Sequence, residues 1–158
     1  GGFDLPLRTW TSPHANAHKR LGVNLGGCLI PLGIALERAW HWPSAALAPA
    51  GISVVLVALL SFFLARPVAS RGVILAWPLT GLLAAALGLL LAPSRVRPSS
   101  LAFVSGLIGP LLGGELPYLP RLFRSPSIHA GVGGDGLFDG LVWSSLLASW
   151  MAMPAFPN

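Results

Sequence analysis

The sequence predicts an all-α, polytopic integral membrane helix bundle of about five transmembrane helices, because lipid admits only helices or closed barrels as spanning structures. Composition supplies the first two observations behind this prediction. Of the 158 residues, 54% are apolar and only 9% are charged, and mean hydropathy is +0.72. A soluble domain carries about 25% charged residues, which keep its surface in water. The third observation is the length of the stretches without charge.

Five windows free of Asp, Glu, Lys and Arg divide the chain, at 21–36, 39–65, 72–94, 98–114 and 140–158. Each meets or approaches the ~20 residues that a helix needs to cross the hydrocarbon core. They do not alternate and are too long for barrel strands. We therefore expect helices near 21–40, 49–65, 72–92, 99–114 and 136–153. The fourth window is rich in glycine and contains Pro110, so a re-entrant helix is the alternative there.

The predicted organisation is an N-terminal interfacial tail over 1–20 followed by a transmembrane helical domain over 21–158. The tail lacks the apolar core of a secretory signal. The connections 66–71 and 93–98 are expected to be short, which makes neighbouring helices antiparallel. The segment 115–136 is expected to lie along the interface, since its prolines prevent a long helix. There Arg121 and Arg124 are expected to contact lipid phosphates.

Basic residues set the expected orientation. There are ten Lys and Arg against five Asp and Glu, and they occur singly or in pairs between apolar stretches. This is the distribution of a membrane protein, so we expect no nucleic-acid partner. The side that holds the N-terminal tail carries more of them, namely Arg8, Lys19, Arg20, Arg66, Arg71, Arg121 and Arg124, than the side with Arg38, Arg95 and Arg97. The prediction is a multi-pass protein of the cell (inner) membrane with a cytoplasmic N-terminus.

Small and polar residues within the windows predict helix packing. Gly22 and Gly26 have the spacing of a GxxxG step, and so do Gly109 and Gly113. Small residues at this spacing let helix backbones approach closely, although glycine is also simply common in membrane helices. Asn24 is expected to face another helix, since a buried amide needs partners. Pro31 frees a carbonyl near Gly27 that this amide can bind.

Three acids are candidate functional residues: Glu115, Asp135 and Asp139. Asp135 suits the N-cap of the last helix and Asp139 its first turn, where the helix dipole favours an anion. Asp139 is either a proton or cation site or, as we favour, an ion-pair partner of Arg121 or Arg124. The segment 131–136 fits G-x-G-x-x-G, but a nucleotide site is rejected because the motif follows a proline-rich loop rather than a strand.

Catalytic and metal sites are not predicted. Glu115, His129, Asp135 and Asp139 are close in sequence, but their spacing matches no familiar ligand signature. His14 and His18 are four residues apart and are read as solvated interfacial side chains rather than ligands. Cys28 has no base near it in sequence. The sequence does not determine any cofactor.

Several motifs recur together in one known family. They are Asn24-Leu25-Gly26-Gly27 with Pro31, Ala65-Arg66-Pro67, Ala102-Phe103-Val104-Ser105-Gly106 with Gly109, Gly113-Gly114-Glu115-Leu116, and Gly133-Gly134-Asp135-Gly136-Leu137-Phe138-Asp139-Gly140. On these motifs the chain resembles, over almost its whole length, the prokaryotic membrane proteins grouped as domain of unknown function 1614.

The resemblance implies a polytopic fold and no particular activity. It also implies that Gly2-Phe3-Asp4-Leu5-Pro6 corresponds to the end of a further N-terminal membrane segment. Relatives tend to have Asp where this chain has Glu115, and small or hydroxyl residues at Asp135 and Leu137. A function that depends on an aspartate pair at those segments is therefore not expected here.

Three functions are compatible with the sequence. The favoured hypothesis is a non-catalytic integral membrane subunit or scaffold of a larger inner-membrane complex, whose partners are the lipid bilayer and other membrane subunits or itself. The alternative is a small oligomeric transporter or ion-conducting protein that uses Asn24, Asp139 and helices broken at proline. A remote alternative is an intramembrane aspartyl-type hydrolase that pairs Asp139 with Glu115 or Asp135.

Overall fold

The computed structural model describes residues 21–23, 25–68, 72–120, 130–132 and 140–153. In this part of the chain the α-helices are α1 (Ile30–Trp40), α2 (Leu47–Leu64), α3 (Trp77–Leu91), α4 (Pro98–Pro110) and α5 (Gly140–Met151). Single turns of π-helix cover Leu25–Leu29 and Leu111–Glu115, and 3₁₀ turns cover Ser44–Ala46 and Leu116–Tyr118. The predicted helical fold is confirmed.

Four strands of three residues each accompany the helices: β1 (Leu21–Val23), β2 (Arg66–Val68), β3 (Gly72–Ile74) and β4 (Ala130–Val132). β1 and β4 are parallel, with Leu21 opposite Ala130 and Val23 opposite Val132. β2 and β3 are antiparallel, with Arg66 opposite Ile74. β2 and β3 lie between α2 and α3, β4 lies between α4 and α5, and β1 precedes α1.

These strands correct two predicted helix boundaries. The first helix does not begin at residue 21, because Leu21–Val23 pairs with β4. Gly22 therefore lies in a strand and forms no helical GxxxG step with Gly26. The third helix begins at Trp77 rather than at 72, because Gly72–Ile74 pairs with β2 and Pro78 fits the first helical turn, where its missing N–H is not needed.

Proline also sets the other helix boundaries. The backbone of Ala92 is extended after α3 and precedes Pro93, as expected for a residue before proline. Arg97 is likewise extended before Pro98, which begins α4. The connection 92–97 is therefore short, as predicted, and it makes α3 and α4 antiparallel neighbours.

Helix α4 is the centre of the bundle and packs against α1, α2, α3 and α5. All residues from Leu101 to Leu107 are buried, so this helix has no outward face over two turns. By contrast, α2 buries only the stripe Ser53, Val57 and Ser61, at four-residue spacing. Among the residues that the structure describes, two helical segments are long and apolar enough to cross a membrane, Ser44–Leu64 and Pro98–Tyr118.

Glycines allow the helices to approach one another closely. A Cβ added to Gly109 would lie 2.6 Å from Val57 Cβ, and one added to Gly113 would overlap the Ala58 carbonyl of α2. A Cβ on Gly88 of α3 would lie 2.6 Å from the carbonyl oxygen of Pro98. Such contacts are typical of helix packing without a hydrophobic driving force, where dispersion acts between backbones.

Hydroxyl groups in the core bind main-chain carbonyls of their own helices. Ser61 Oγ donates to the Val57 carbonyl at 2.8 Å, and Ser105 Oγ donates to the Leu101 carbonyl at 3.0 Å. A hydrogen bond to the carbonyl four residues earlier gives a buried hydroxyl a partner within its own apolar helix. One pair also joins two helices, since the hydroxyls of Thr80 in α3 and Ser144 in α5 are 3.0 Å apart, while Thr80 Oγ1 donates to the Trp77 carbonyl at 3.1 Å.

We expect the Thr80–Ser144 pair to contribute a small, measurable coupling between α3 and α5. A double-mutant cycle with Thr80→Val and Ser144→Ala should give a coupling energy of about 0.6 kcal/mol, and at most ~1.7, as for hydrogen bonds between membrane helices. Thermal unfolding in a mild detergent measures it. Strictly additive effects of the two changes would show that the hydrogen bond adds no stability.

Candidate functional site

The candidate site lies at the end of the bundle where both π-helical turns occur. The two turns contain Gly26-Gly27 and Gly113-Gly114. α1 starts after the first turn and ends at Trp40, and the guanidinium of Arg38 in its last turn lies 5.0 Å from the ring of Phe103 in the middle of α4. The first π-helical turn packs against α5, and the second lies beside Leu75, so we call the region around the two turns the glycine end.

The β2–β3 hairpin and α5 complete the glycine end. Leu75, just after β3, contacts the position of a Cβ on Gly114. A Cβ on Gly140, the first residue of α5, would lie 3.2 Å from Leu75 Cβ. Leu75 thus joins the second π-helical turn to the first residue of the last helix. π-Helical turns are rare, and they occur frequently at functional sites.

Glu115 is the acid that this end buries. Its exposed fraction is 5%, and it is the only ionisable side chain among the buried polar residues of the described part of the chain. Glu115 takes part in at least one hydrogen-bonding or electrostatic interaction. Glu37 in α1 is the contrasting acid, with a side chain 69% exposed and 3.8 Å from His41 Nδ1. An acid held almost entirely out of water is a functional candidate within an apolar segment.

The local sequence explains why the chain widens into a π-helical turn here. Pro110 has no N–H for the preceding turn, which interrupts the regular α-helical bonding at the end of α4. The N–H of Leu116 then bonds to the carbonyl of Leu111, five residues earlier. Gly113 and Gly114 have no side chains, so the widened turn can lie directly against Ala58 and Leu75.

Tyr118 ties the segment after Glu115 to the end of α2. Its hydroxyl donates to the carbonyl of Phe62 at 3.3 Å, and its ring stacks on the Phe62 ring with 6.3 Å between centroids. Ser61, one residue earlier, lies on the side of α2 that faces the turn, its Cβ 3.7 Å from the position of a Cβ on Gly114. The chain on both sides of Glu115 therefore packs against α2, and Gly114 also packs against Leu75.

The structure places part of the residues predicted from sequence. Gly27 and Pro31 are buried at the start of α1, and Gly109 and Gly113 both pack against α2. Asn24, Asp135, Asp139, Arg121 and Arg124 lie outside the described residues, as do His14, His18 and His129. β4 contains Gly131 and Val132, so it overlaps the G-x-G-x-x-G segment rather than preceding it.

Sequence reasoning missed two contacts between helices. Thr80 and Ser144 form the hydrogen bond between α3 and α5, and Gly106 of α4 contacts both Ala148 and Ala84. The available signal was a hydroxyl or glycine within each apolar stretch, but nothing in the linear pattern says which helix it faces. In the described part of the chain, no three His, Cys, Asp or Glu side chains group together as a metal site.

The described residues define a mainly helical protein with two helical segments that are apolar and long enough to cross a membrane, and with a buried acid in the π-helical turn of the second. The chain belongs to the family described as Protein of unknown function (DUF1614), whose family model matches residues 3–151. This match confirms the resemblance seen in the motifs. No curated protein and no solved structure matches the chain.

The sequence-based prediction for Asp139 stays open to experiment. We expect its carboxylate to be held by the first turn of α5 and by a second helix or a basic residue, with Arg121 and Arg124 nearest in sequence. Asp139→Ala should then destabilise the bundle by about 1 kcal/mol, as loss of a favourable helix-dipole interaction does. Thermal unfolding in detergent, with Asp4→Ala as the matched control, measures this. Equal tolerance of the two substitutions would contradict it.

Proposed function

We propose that the protein is a multi-pass protein of the cell (inner) membrane, with its N-terminus in the cytoplasm, and that it serves as a non-catalytic subunit or scaffold of a larger membrane complex. The observation that carries this proposal is the exposure of α2. Only 17% of the residues in its most apolar stretch are buried inside the protein. In the segment that contains α4 the buried share is 67%. Most of the apolar surface of α2 therefore faces outward.

Large side chains make this outward surface costly in water. Val55 and Leu59 are at least half exposed along α2, and Phe63 is 78% exposed. Leu79, Leu82 and Leu90 extend the exposed apolar surface over α3. Soluble monomers rarely leave continuous apolar patches larger than a few hundred Å² uncovered. Lipid chains or partner helices are the surroundings that suit such a surface.

The interior supports a structural role rather than catalysis. Its buried hydroxyls bind carbonyls of the same helix or one another. Its helices meet at glycines so closely that most of these positions have no room for a methyl group. A bundle closed in this way uses its interior for packing and leaves its outer surface for partners.

Affinity purification of the tagged full chain in a mild detergent, followed by blue-native electrophoresis, tests the subunit proposal. We expect migration as a complex with other membrane proteins or with further copies of the chain. Replacing Val55 and Leu59 together by alanine should weaken assembly, since both lie exposed on α2. Replacing Ile34 and Leu36 together by alanine is the matched control for general loss of apolar surface, since both are exposed on a different helix, α1. Migration as a lone protomer would refute the proposal.

The buried Glu115 favours a second candidate function, a small oligomeric transporter or ion-conducting protein. Its segment, Pro98–Tyr118, is long and apolar enough to cross a membrane, yet it is interrupted by Pro110 and the π-helical turn. Discontinuous helices of this kind are the usual location of transport sites. The test is ion flux into reconstituted vesicles. Flux that persists unchanged in Glu115→Gln, Asp139→Asn and Asn24→Ala variants would remove this candidate.

A further inference from the structure

We propose that the outward surface of α3 fits the acyl chains of a thinned bilayer, with a hydrocarbon layer of about 22 Å where an ordinary membrane has ~30 Å. The partner of this surface is lipid with short or compressed chains. The inference rests on the proposed membrane location and goes beyond it, because it states the membrane thickness that the protein requires. Its support is the length of α3, the polar groups at both of its ends, and the packing of its neighbours.

The length of α3 is the first argument. The helix contains the 15 residues Trp77–Leu91, and the backbone at Ala76 and at Ala92 is not helical. With a rise of about 1.5 Å per residue, the helix is about 22 Å long. A helix needs ~20 residues to cross an ordinary hydrocarbon core. By this measure α3 is about 8 Å too short.

Polar groups at both ends prevent the flanking chain from adding to this length. Before α3, β2 and β3 form a sheet that has only two strands within the residues that the structure describes, so each strand leaves its outer edge without a strand partner there. Open sheet edges do not occur in lipid-exposed hydrocarbon. Arg66 in β2 is exposed at the same place, and after α3 the exposed Arg95 and Arg97 lie in the connection to α4. The hydrocarbon layer on this side is therefore limited to α3 itself.

The face of α3 that points away from the bundle is apolar along its length. Leu79, Leu82 and Leu90 are exposed at helical spacing and form one continuous stripe. At the first residue of the helix, Trp77 is also exposed, and its ring lies 6.0 Å from that of Trp143 in α5. Tryptophan is enriched where hydrocarbon meets headgroups. The Trp77–Trp143 pair therefore marks one boundary of the layer at the start of α3.

The packing of α3 shows that it crosses the whole bundle. At its start, a Cβ on Gly140 would lie 3.7 Å from Trp77 Cβ, so α3 and α5 begin side by side. Near its other end, a Cβ on Gly88 would lie 2.6 Å from the carbonyl oxygen of Pro98, the first residue of α4. Since α4 runs antiparallel to α3, these contacts are at opposite ends of the bundle. α3 is therefore a complete span that is short, not a helix that stops halfway.

The longer helix α2 fits the same layer by tilting. Its 18 residues have a length of about 27 Å. Gly109 and Gly113 are one turn apart in α4, yet Cβ atoms added to them would meet the adjacent residues Val57 and Ala58 of α2. The two helices therefore cross instead of running side by side. Tilting is a usual way for a long helix to fit a thinner hydrocarbon layer.

Competition between lipids for the protein surface is the first test. The full chain is reconstituted into phosphatidylcholine vesicles with brominated oleoyl chains, which quench the exposed tryptophans, and unbrominated myristoleoyl, oleoyl or erucoyl phosphatidylcholine is added as competitor. We expect myristoleoyl chains to bind about threefold more tightly than oleoyl chains, and erucoyl chains to bind most weakly. Tightest binding of oleoyl or erucoyl chains would overturn the proposal. So would equal binding of all three, the result expected if a second copy of the chain covers this face.

Cysteine labelling separates failure of this proposal from failure of the membrane location. The full-length variants Ile74→Cys in the hairpin, Leu82→Cys in the middle of α3 and Ser94→Cys after it are made in a Cys28→Ala background, because all three positions are exposed. They are treated with a charged maleimide in oleoyl phosphatidylcholine nanodiscs, which leave both membrane faces open. We expect labelling at Leu82→Cys to be at least about tenfold slower than at the other two positions.

The labelling pattern decides between three cases. Rapid labelling at both Ile74→Cys and Ser94→Cys, with Leu82→Cys protected, supports a layer no thicker than α3. Protection of Leu82→Cys together with either end position would overturn the thinned layer and keep the membrane location. Labelling of Leu82→Cys as fast as the two end positions would overturn the membrane location as well.

Discussion

Replacing Gly113 by alanine is expected to destabilise the bundle by about 3 kcal/mol, the upper part of the usual range for overpacking a core. A Cβ at this position overlaps the main-chain carbonyl of Ala58, and a backbone group cannot rotate away as a side chain can. Helices α2 and α4 must then separate, and the π-helical turn that holds Glu115 must move with them. Thermal unfolding of the purified protein in a mild detergent measures the loss.

Gly51→Ala is the matched control for that experiment. Gly51 lies inside α2, and a Cβ there meets nothing within 4 Å. Alanine is favoured over glycine in a helix by about 1 kcal/mol, so this variant should be as stable as the wild type or slightly more stable. If Gly113→Ala and Gly51→Ala behaved alike, the close approach of α2 and α4 would not exist in solution.

Replacing Val55 by arginine is expected to prevent α2 from inserting into the membrane efficiently. Val55 is near the middle of Ser44–Leu64 and is 56% exposed. A charged side chain at the centre of a membrane helix costs about 2.5–3.5 kcal/mol on insertion scales. On the surface of a water-soluble protein the same change would fall within about 0.5 kcal/mol. The fraction of protein in alkali-washed membranes measures the outcome.

Leu47→Arg is the control for the charge itself. Leu47 is 63% exposed at the first residue of α2, where a long basic side chain can extend to the headgroups. We expect normal membrane insertion of this variant. If an alkaline wash released the wild type and both arginine variants from the membrane equally, the proposed membrane location would be contradicted.

Most of the helices could be predicted from the charge-free windows alone. Long apolar stretches bounded by Arg and Pro leave the backbone no alternative to internal hydrogen bonding, and Pro93 and Pro98 mark where α3 ends and α4 begins. The ends at Leu21 and Gly72 were predicted wrongly, because each joins a short strand whose partner lies elsewhere in the chain. A strand of three residues at the edge of an apolar stretch cannot be distinguished by hydropathy from the start of a helix.

For the site, the sequence singled out Glu115 as an acid at the end of an apolar stretch, next to a Gly-Gly pair. It did not predict the π-helical turn, the position of Ser61 beside Gly114, the hydrogen bond of Tyr118 to Phe62, or the contact of Gly114 with Leu75. These contacts depend on which helix packs against α4 in the folded protein. The pattern also ranked Gly22 equally with Gly109, although Gly22 lies in a strand and Gly109 packs against α2.

By itself, the sequence determined the helical class, the family and the apolar character of each segment, because these follow from composition and from motifs that are local in the chain. Only the tertiary structure decided that α4 is the buried centre and α2 the exposed helix, although α2 is the more continuously apolar of the two. In a chain where nearly every helix is apolar on all sides, hydropathy does not show which helix is buried and which is exposed. Small residues such as Gly109 and Gly113 decide it, because close packing is available only where the facing backbone fits.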